Sequence, residues 1–197
     1  GAIGQVGLIE CAFAGHAPYD PESRLFANAL GGGGLLDIGC YCVSMARLVA
    51  GAAQGRDFAE PIRVAAMGRL DEREGTDLYT SALMEFPGAI FAALFTGIQL
   101  AHENQVRVFG SQGRITVTQP WLAGSKGARL IVRRRGGKPR EIRTETKADL
   151  YGYEIDLVAK HHAEKQAPPP AMTWEDSLGN ARALDAWAKE IGLVYRF

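Results

Sequence analysis

The spacing of apolar and polar positions divides the chain into three regimes. Residues 3 to 13, IGQVGLIECAF, carry the β-favouring Val6, Ile9 and Phe13 and predict a first strand. A polar stretch, HAPYDPESR (16 to 24), then predicts an exposed connection leading to four consecutive glycines at 31 to 34. Beyond them Leu35, Ile38, Cys42, Met45 and Val49 recur at helical spacing, an apolar stripe suited to packing on a sheet, with Gly51 as the expected C-terminal cap. Asp37, Tyr41 and Ser44 stand at i, i+4 and i+7 and share a different face of that helix.

From Ile62 to about Glu145 the period changes to that of strands: IRVAAMGRL, DLYTSALMEF, AIFAALFTGI, NQVRVFG, RITVTQ, ARLIVRRR and EIRTE. The links PG (87–88), SQG (111–113) and GGKP (136–139) are hairpin chemistry and predict antiparallel neighbours, while LDEREG (70–75) is a longer charged link. Two helices close the chain. One runs from about Leu150 to Gln166 before PPP (168–170). The other follows Thr173 and Asp176, which resemble a capping box, and has Leu184, Trp187 and Ile191 as its buried stripe. This order predicts an α+β fold, a large, mostly antiparallel open sheet with helices packed on one face, in a single domain over residues 1–197.

Composition narrows the partners. With 197 residues and 47% hydrophobic content the chain can bury a sizeable core. Lys+Arg and Asp+Glu are both 22, so there is no overall positive field for nucleic acid or an anionic membrane, and a small neutral partner is expected. Cys11, Cys40 and Cys42 fit neither a disulfide framework nor a zinc spacing, so reduced thiols, a cytoplasmic location and no metal are expected. No apolar run is expected to reach the roughly 18 residues needed to span a bilayer. The chain enters strand-like sequence at once and without methionine, which leads to the expectation of a missing upstream region.

The glycine run is the first candidate for chemistry. A P-loop needs Lys and Ser/Thr directly after its glycines, whereas Leu35, Leu36 and Asp37 follow here, and an acid in the first turn repels phosphate. A dinucleotide fingerprint needs G-x-G-x-x-G between a strand and a helix, and neither GGGG nor GAIGQVG stands in that context. Two readings remain: a flexible loop, or glycines such as Gly33 and Gly34 that let a backbone or a flat ligand approach the helix start. Asp37 and Tyr41 likewise have two readings. In one, Asp37 caps the helix and Tyr41 packs. In the other, both face a cleft, where Asp37 accepts a substrate hydroxyl and Tyr41 relays a proton.

The segment GGGGLLDIGCY resembles the signature in the C-terminal domain of the Gfo/Idh/MocA oxidoreductases, the glucose-fructose oxidoreductase and inositol dehydrogenase family. The blocks IGQVGLIECAF, DPESRLFANALGGGGLLDIGCY, VFGSQGRITV and MTWEDSLGNARALDAWAKEIGLVY are similar to family blocks in family order. Tyr41, at the last position of the D-x-x-x-H/Y pattern, resembles the branch with glucose-fructose oxidoreductase and dimeric dihydrodiol dehydrogenase. The resemblance implies an enzyme acting on CH–OH groups of a sugar, polyol or cyclic diol with NAD or NADP. It assigns Asp37 to orienting hydroxyls and Tyr41 to the proton path, and it implies a homodimer or higher oligomer formed through the open sheet face. It also implies an N-terminal Rossmann domain ending in an E-K-P segment, and these 197 residues contain no EKP. The chain is therefore expected to be the substrate and dimerisation half, inactive alone, with a non-catalytic oligomerising or ligand-binding module as the alternative.

Further positions carry paired readings. Arg24 is either a ligand for substrate oxygen or a surface arginine, and His102 with Asn104 faces either the cleft or the sheet surface. His161 and His162 are adjacent on a helix and make a poor metal site. RRRGGKPR reads as a solvated basic hairpin tip whose charges discourage edge aggregation.

Overall fold

The computed structural model describes residues 1–122, 127–144, 146 and 150–196. Its strands are β1 (Val6–Ala14), β2 (Arg63–Leu70), β3 (Asp77–Phe86), β4 (Ile90–Gly97), β5 (Gln105–Gly110), β6 (Gly113–Thr118), β7 (Arg129–Arg134) and β8 (Arg140–Arg143). They form one eight-stranded sheet in the order β2-β3-β4-β1-β5-β6-β7-β8. The first strand is thus inserted between β4 and β5, parallel to β4 and antiparallel to β5. Every other neighbouring pair is antiparallel. The last predicted strand extended to Glu145, which lies outside the described residues.

Period-2 alternation decides which face of the sheet is covered. Along β4 Ala92, Leu94 and Thr96 are buried while Ala93 and Phe95 point to the other side, and their partners in β1 and β3 follow the same parity. Two helices cover the buried face: α1 (Cys40–Ala53), entered through a π-helical turn at Leu35–Gly39, and α3 (Trp174–Glu190). Trp187 of α3 is fully buried and donates its indole N–H to Thr80 Oγ1 at 2.9 Å, fixing the helix to β3. The third helix, α2 (Leu150–Lys160), buries none of its residues.

Several expectations need correction. Gly51 does not end its helix, which runs on to Ala53; a side chain at 51 would strike the backbone of Phe58, so the glycine permits close packing and is no cap. The buried stripe is Leu35, Cys42, Val43, Ala46 and Ala50, with Ile38, Met45 and Val49 only partly covered. A π-turn holds an extra residue, and this shifts the faces of the following helix. Helix α2 ends at Lys160, short of Gln166. Thr173 does cap α3, accepting the Asp176 N–H at 3.1 Å, but the Asp176 carboxylate turns to Arg47 and does not complete a box. The stretch 28–53 is long and apolar enough by length and composition to cross a membrane, although Asp37 and Arg47 interrupt it and much of it packs on the sheet.

Candidate active site

The face of α1 turned away from the core borders a cavity of about 450 Å³. Asp37, Ile38, Tyr41 and Met45 supply one wall, Phe13 of β1 and Trp121 after β6 a second, and Leu150, Tyr151 and Glu154 of α2 a third. Trp121 reaches it because its indole N–H donates to the Ala12 carbonyl at 2.8 Å, and its ring stacks on Phe13 at 5.3 Å with planes 7° apart. Tyr41 leans on both, with ring centroids 5.8 Å from Phe13 and 6.4 Å from Trp121. The result is an aromatic wall with an acid and a phenol at its rim, a form suited to a small molecule with an apolar face and polar edges.

The electrostatics keep Tyr41 neutral. Its pKa is raised, first by burial and then by Cys40, Glu154, Tyr151 and Asp37. The phenol therefore holds its proton at neutral pH and can donate it to an oxygen in the cavity. Asp37 is engaged by Arg24, whose Nη1 lies 2.7 Å from Oδ1, and the arginine side chain is 71% exposed. Sequence spacing put Asp37 and Tyr41 on one face and left Arg24 open between surface and site. The structure pairs Arg24 with Asp37 and sets Asp37 and Tyr41 on one cavity, which Arg24 itself does not line.

It does not bring the remaining expected residues there. Gly33 and Gly34 are buried, and the space they leave is filled by Asp77 and by the backbone of Gly97. The approach that these glycines permit is thus made by the protein itself, not by a ligand. His102 stacks on Phe95 at 4.6 Å on the opposite face of the sheet from Tyr41, with Nδ1 2.8 Å from the Glu103 carbonyl oxygen. A hollow of about 580 Å³ lies on that face, lined by Met67, Leu83, Phe95 and His102 among others; of its charged residues, Glu10 and Arg107 pair with each other at 2.7 Å, and Glu190 also lines it. Among the described residues no group of three or more His, Cys, Asp or Glu side chains has the arrangement of a metal site.

Sequence reasoning missed Phe13, Trp121, Tyr151 and Glu154. No local spacing signals them, because they meet only through the β1-β5-β6 register and the return of α2 over α1. Asp77 was missed as well. Its Oδ2 accepts the Leu35 N–H at 2.8 Å beneath the glycine turn. A dinucleotide phosphate does not fit this turn, since a buried carboxylate already occupies the site where the pyrophosphate would lie.

Residues 1–116 match the family description GFO/IDH/MocA C-terminal domain. An uncharacterized oxidoreductase, ORF334 of Rhizobium meliloti, is 33% identical over 190 residues, covering 94% of this chain and 54% of the relative. The trans-1,2-dihydrobenzene-1,2-diol dehydrogenase of Xenopus laevis is 29% identical over 208 residues, covering 98% and 57%. The chain thus spans about half the length of the curated relatives it matches. Among solved structures, the 3-ketoreductase KijD10 of Actinomadura kijaniata, in complex with NADP and TDP-benzene, superposes with a TM-score of 0.80 at 22% identity over 97% of this chain and 55% of that one. The aldose-aldose oxidoreductase of Caulobacter crescentus, complexed with glycerol, gives 0.77 at 22% over 96% and 54%. At that identity these two speak to the fold, and they share it. The family match covers more than half of the sequence, and a relative one-third identical runs along almost all of it: the chain belongs to the GFO/IDH/MocA oxidoreductase family, as its C-terminal domain.

Proposed function

We propose that this chain is the substrate-binding half of an NAD(P)-dependent oxidoreductase acting on a CH–OH group of a sugar, polyol or cyclic diol. The observation that carries the reading is the placing of Asp37 and Tyr41 on one wall of the aromatic cavity. Asp37, paired with Arg24, accepts a hydrogen bond from a substrate hydroxyl and so fixes which carbinol points inward. Tyr41 passes a proton to or from the reacting oxygen, and its raised pKa suits it to the donor role. Phe13 and Trp121 cover the apolar face of the substrate and exclude water.

The glycine turn is closed to a dinucleotide, so the nicotinamide cofactor is bound by a region beyond these residues. The relatives are nearly twice as long, which supports that reading. Three free thiols, two of them buried, suit a reducing compartment such as the cytoplasm.

Two measurements test the proposal. Calorimetry on the 197-residue chain should show no saturable binding of NAD(H) or NADP(H), and tight binding would overturn the division of labour. The longer protein should turn over polyols or cyclic diols with NAD(P), and Asp37→Asn should raise KM by about tenfold, the loss expected for one charge-assisted hydrogen bond. Binding of such ligands in the cavity without any turnover would favour a non-catalytic module instead.

A further inference from the structure

Asp77 is a buried acid that the proposed reaction does not use. It opens β3, and its carboxylate lies under the start of the π-turn, where Oδ2 accepts the Leu35 N–H at 2.8 Å. Oδ1 has no hydrogen-bond partner among the described residues. The local sequence is arranged around this group. A side chain at Gly33 would strike Oδ1, and one at Gly34 would stand 3.3 Å from Oδ2 and 2.9 Å from the Gly97 Cα. Thr96 completes the seat from β4, its hydroxyl donating to the Gly34 carbonyl at 3.1 Å. A serine or asparagine caps a helix as well as an aspartate does, and burying a carboxylate costs several kcal/mol, so capping alone does not account for this acid.

The geometry points to Asp77 as a positioning residue: its carboxylate ties the first N–H of the π-turn to the sheet and thereby sets the rotation at which Asp37 and Tyr41 enter the cavity. This inference rests on the reading of that pair as the reactive one. Asp37 lies inside the π-turn and Tyr41 just beyond it. If the turn relaxed to α-geometry it would lose its extra residue, and everything ahead of Gly39 would rotate by roughly 100° relative to α1, the angle of one residue. Asp37 and Tyr41, at i and i+4, would still lie on one side of the helix, but Asp37 would be displaced around the axis relative to Tyr41 and to the Phe13–Trp121 wall. The far side of α1 cannot follow, because Asn180 Nδ2 donates to the Cys40 carbonyl at 3.2 Å and Arg47 is locked to Glu60 and Asp176.

The surroundings make this tie sensitive to pH. Burial pushes the Asp77 carboxyl up to about 7, against the opposing pull of the Leu35, Gly34 and Asp77 backbone N–H groups. From the C-terminal segment Tyr195 faces it, its own phenol raised by burial and by Asp77, with the hydroxyl donating to the Gly32 carbonyl at 3.1 Å. On the link before β3, Glu74 is turned aside to accept the Asn28 N–H at 3.1 Å, and the Arg196 guanidinium lies beside Gly75. On the helix side, Arg24 and Asp37 pair with each other.

The test needs no turnover, so it stands or falls separately from the proposed chemistry. Amide exchange followed by NMR on Asp77→Asn should show Leu35 and Asp37 exchanging about tenfold faster or more, with Leu94 and Val106 in the sheet centre unchanged, and with the Tyr41 ring signals displaced. Exchange that rises equally in the sheet, or an unchanged Leu35, overturns the inference. If the variant fails to fold, a pH titration of the native chain decides. The Leu35 amide and the Tyr41 ring should then move together through one midpoint near pH 7. A Leu35 amide that titrates beside a motionless Tyr41 makes Asp77 a simple cap and overturns the positioning role, as does a Leu35 amide that does not titrate at all.

Discussion

Tyr41 leans on Phe13 with ring centroids 5.8 Å apart and planes inclined at 55°, so it is held through its ring, from a strand that precedes the glycine turn. Trp121 supports it from a second side, and among the described residues no protein group hydrogen-bonds its hydroxyl. Tyr41→Phe removes that hydroxyl and keeps these ring contacts. Stability should change by less than about 1 kcal/mol, while turnover of the longer protein falls by about 10²-fold or more, the loss expected when an acid–base group is removed. A phenylalanine variant with full kcat would remove Tyr41 from the proton path.

Arg47 is expected to matter for stability and not for the site. Its guanidinium is fully buried, paired with Glu60 at 2.6 Å and with Asp176, and stacked over the Phe58 ring at 5.0 Å. It joins α1, the loop after it and the N-terminus of α3. Arg47→Ala removes a fully buried side chain and leaves the half-buried Asp176 carboxylate, 15% exposed, without its partner, and should cost about 3 kcal/mol in denaturant unfolding. A loss below about 1 kcal/mol would mean that water replaces the guanidinium freely.

Most of the fold was legible in the sequence, since strand alternation and hairpin links are local signals. Each of the eight strands falls on a segment that its own pattern marks. The insertion of β1 between β4 and β5 was not legible, because pairing across about 80 residues leaves no mark in either strand. The shift in the buried face of α1 was hidden for another reason: Leu35, Ile38, Cys42, Met45 and Val49 fit an ideal helix, and the hydrogen bonds that Asp77 and Thr96 make to the start of the π-turn come from distant strands of the sheet. The site shows the same limit. Asp37 and Tyr41 announce themselves by spacing on one helix, whereas Trp121 and Phe13 join them only after the sheet has formed.

Asp77 also predicts how stability varies with pH. Its folded pKa is raised from 3.8 to about 7, so between those values the folded chain holds a proton that the unfolded chain has released. The group favours the fold most strongly below pH about 4, and that contribution is lost as pH rises through about 7. The melting temperature of the native chain should therefore fall relative to that of Asp77→Asn across this range. Parallel melting curves for the two proteins at every pH would mean that Asp77 is already ionised well below neutrality.

The uncovered face of the sheet leads to a prediction about association. Met67 is 83% exposed and Leu83 50%, with Ala65, Ala93 and Phe95 beside them, and the helices lie on the other side. An apolar surface of this kind, flanked by the Glu85–Arg63 and Glu10–Arg107 pairs, has the apolar centre and polar rim of a subunit interface. Light scattering at micromolar concentration should report a dimer or larger. Leu83→Lys places a charge in the middle of the patch without touching the buried parity of β3, so it should yield a folded monomer with an unchanged far-ultraviolet spectrum. The same substitution should leave ligand binding in the cavity intact, because that cavity lies across the sheet. A native chain that is already monomeric, or a Leu83→Lys variant that associates as strongly as the native one, would remove this face as a subunit interface.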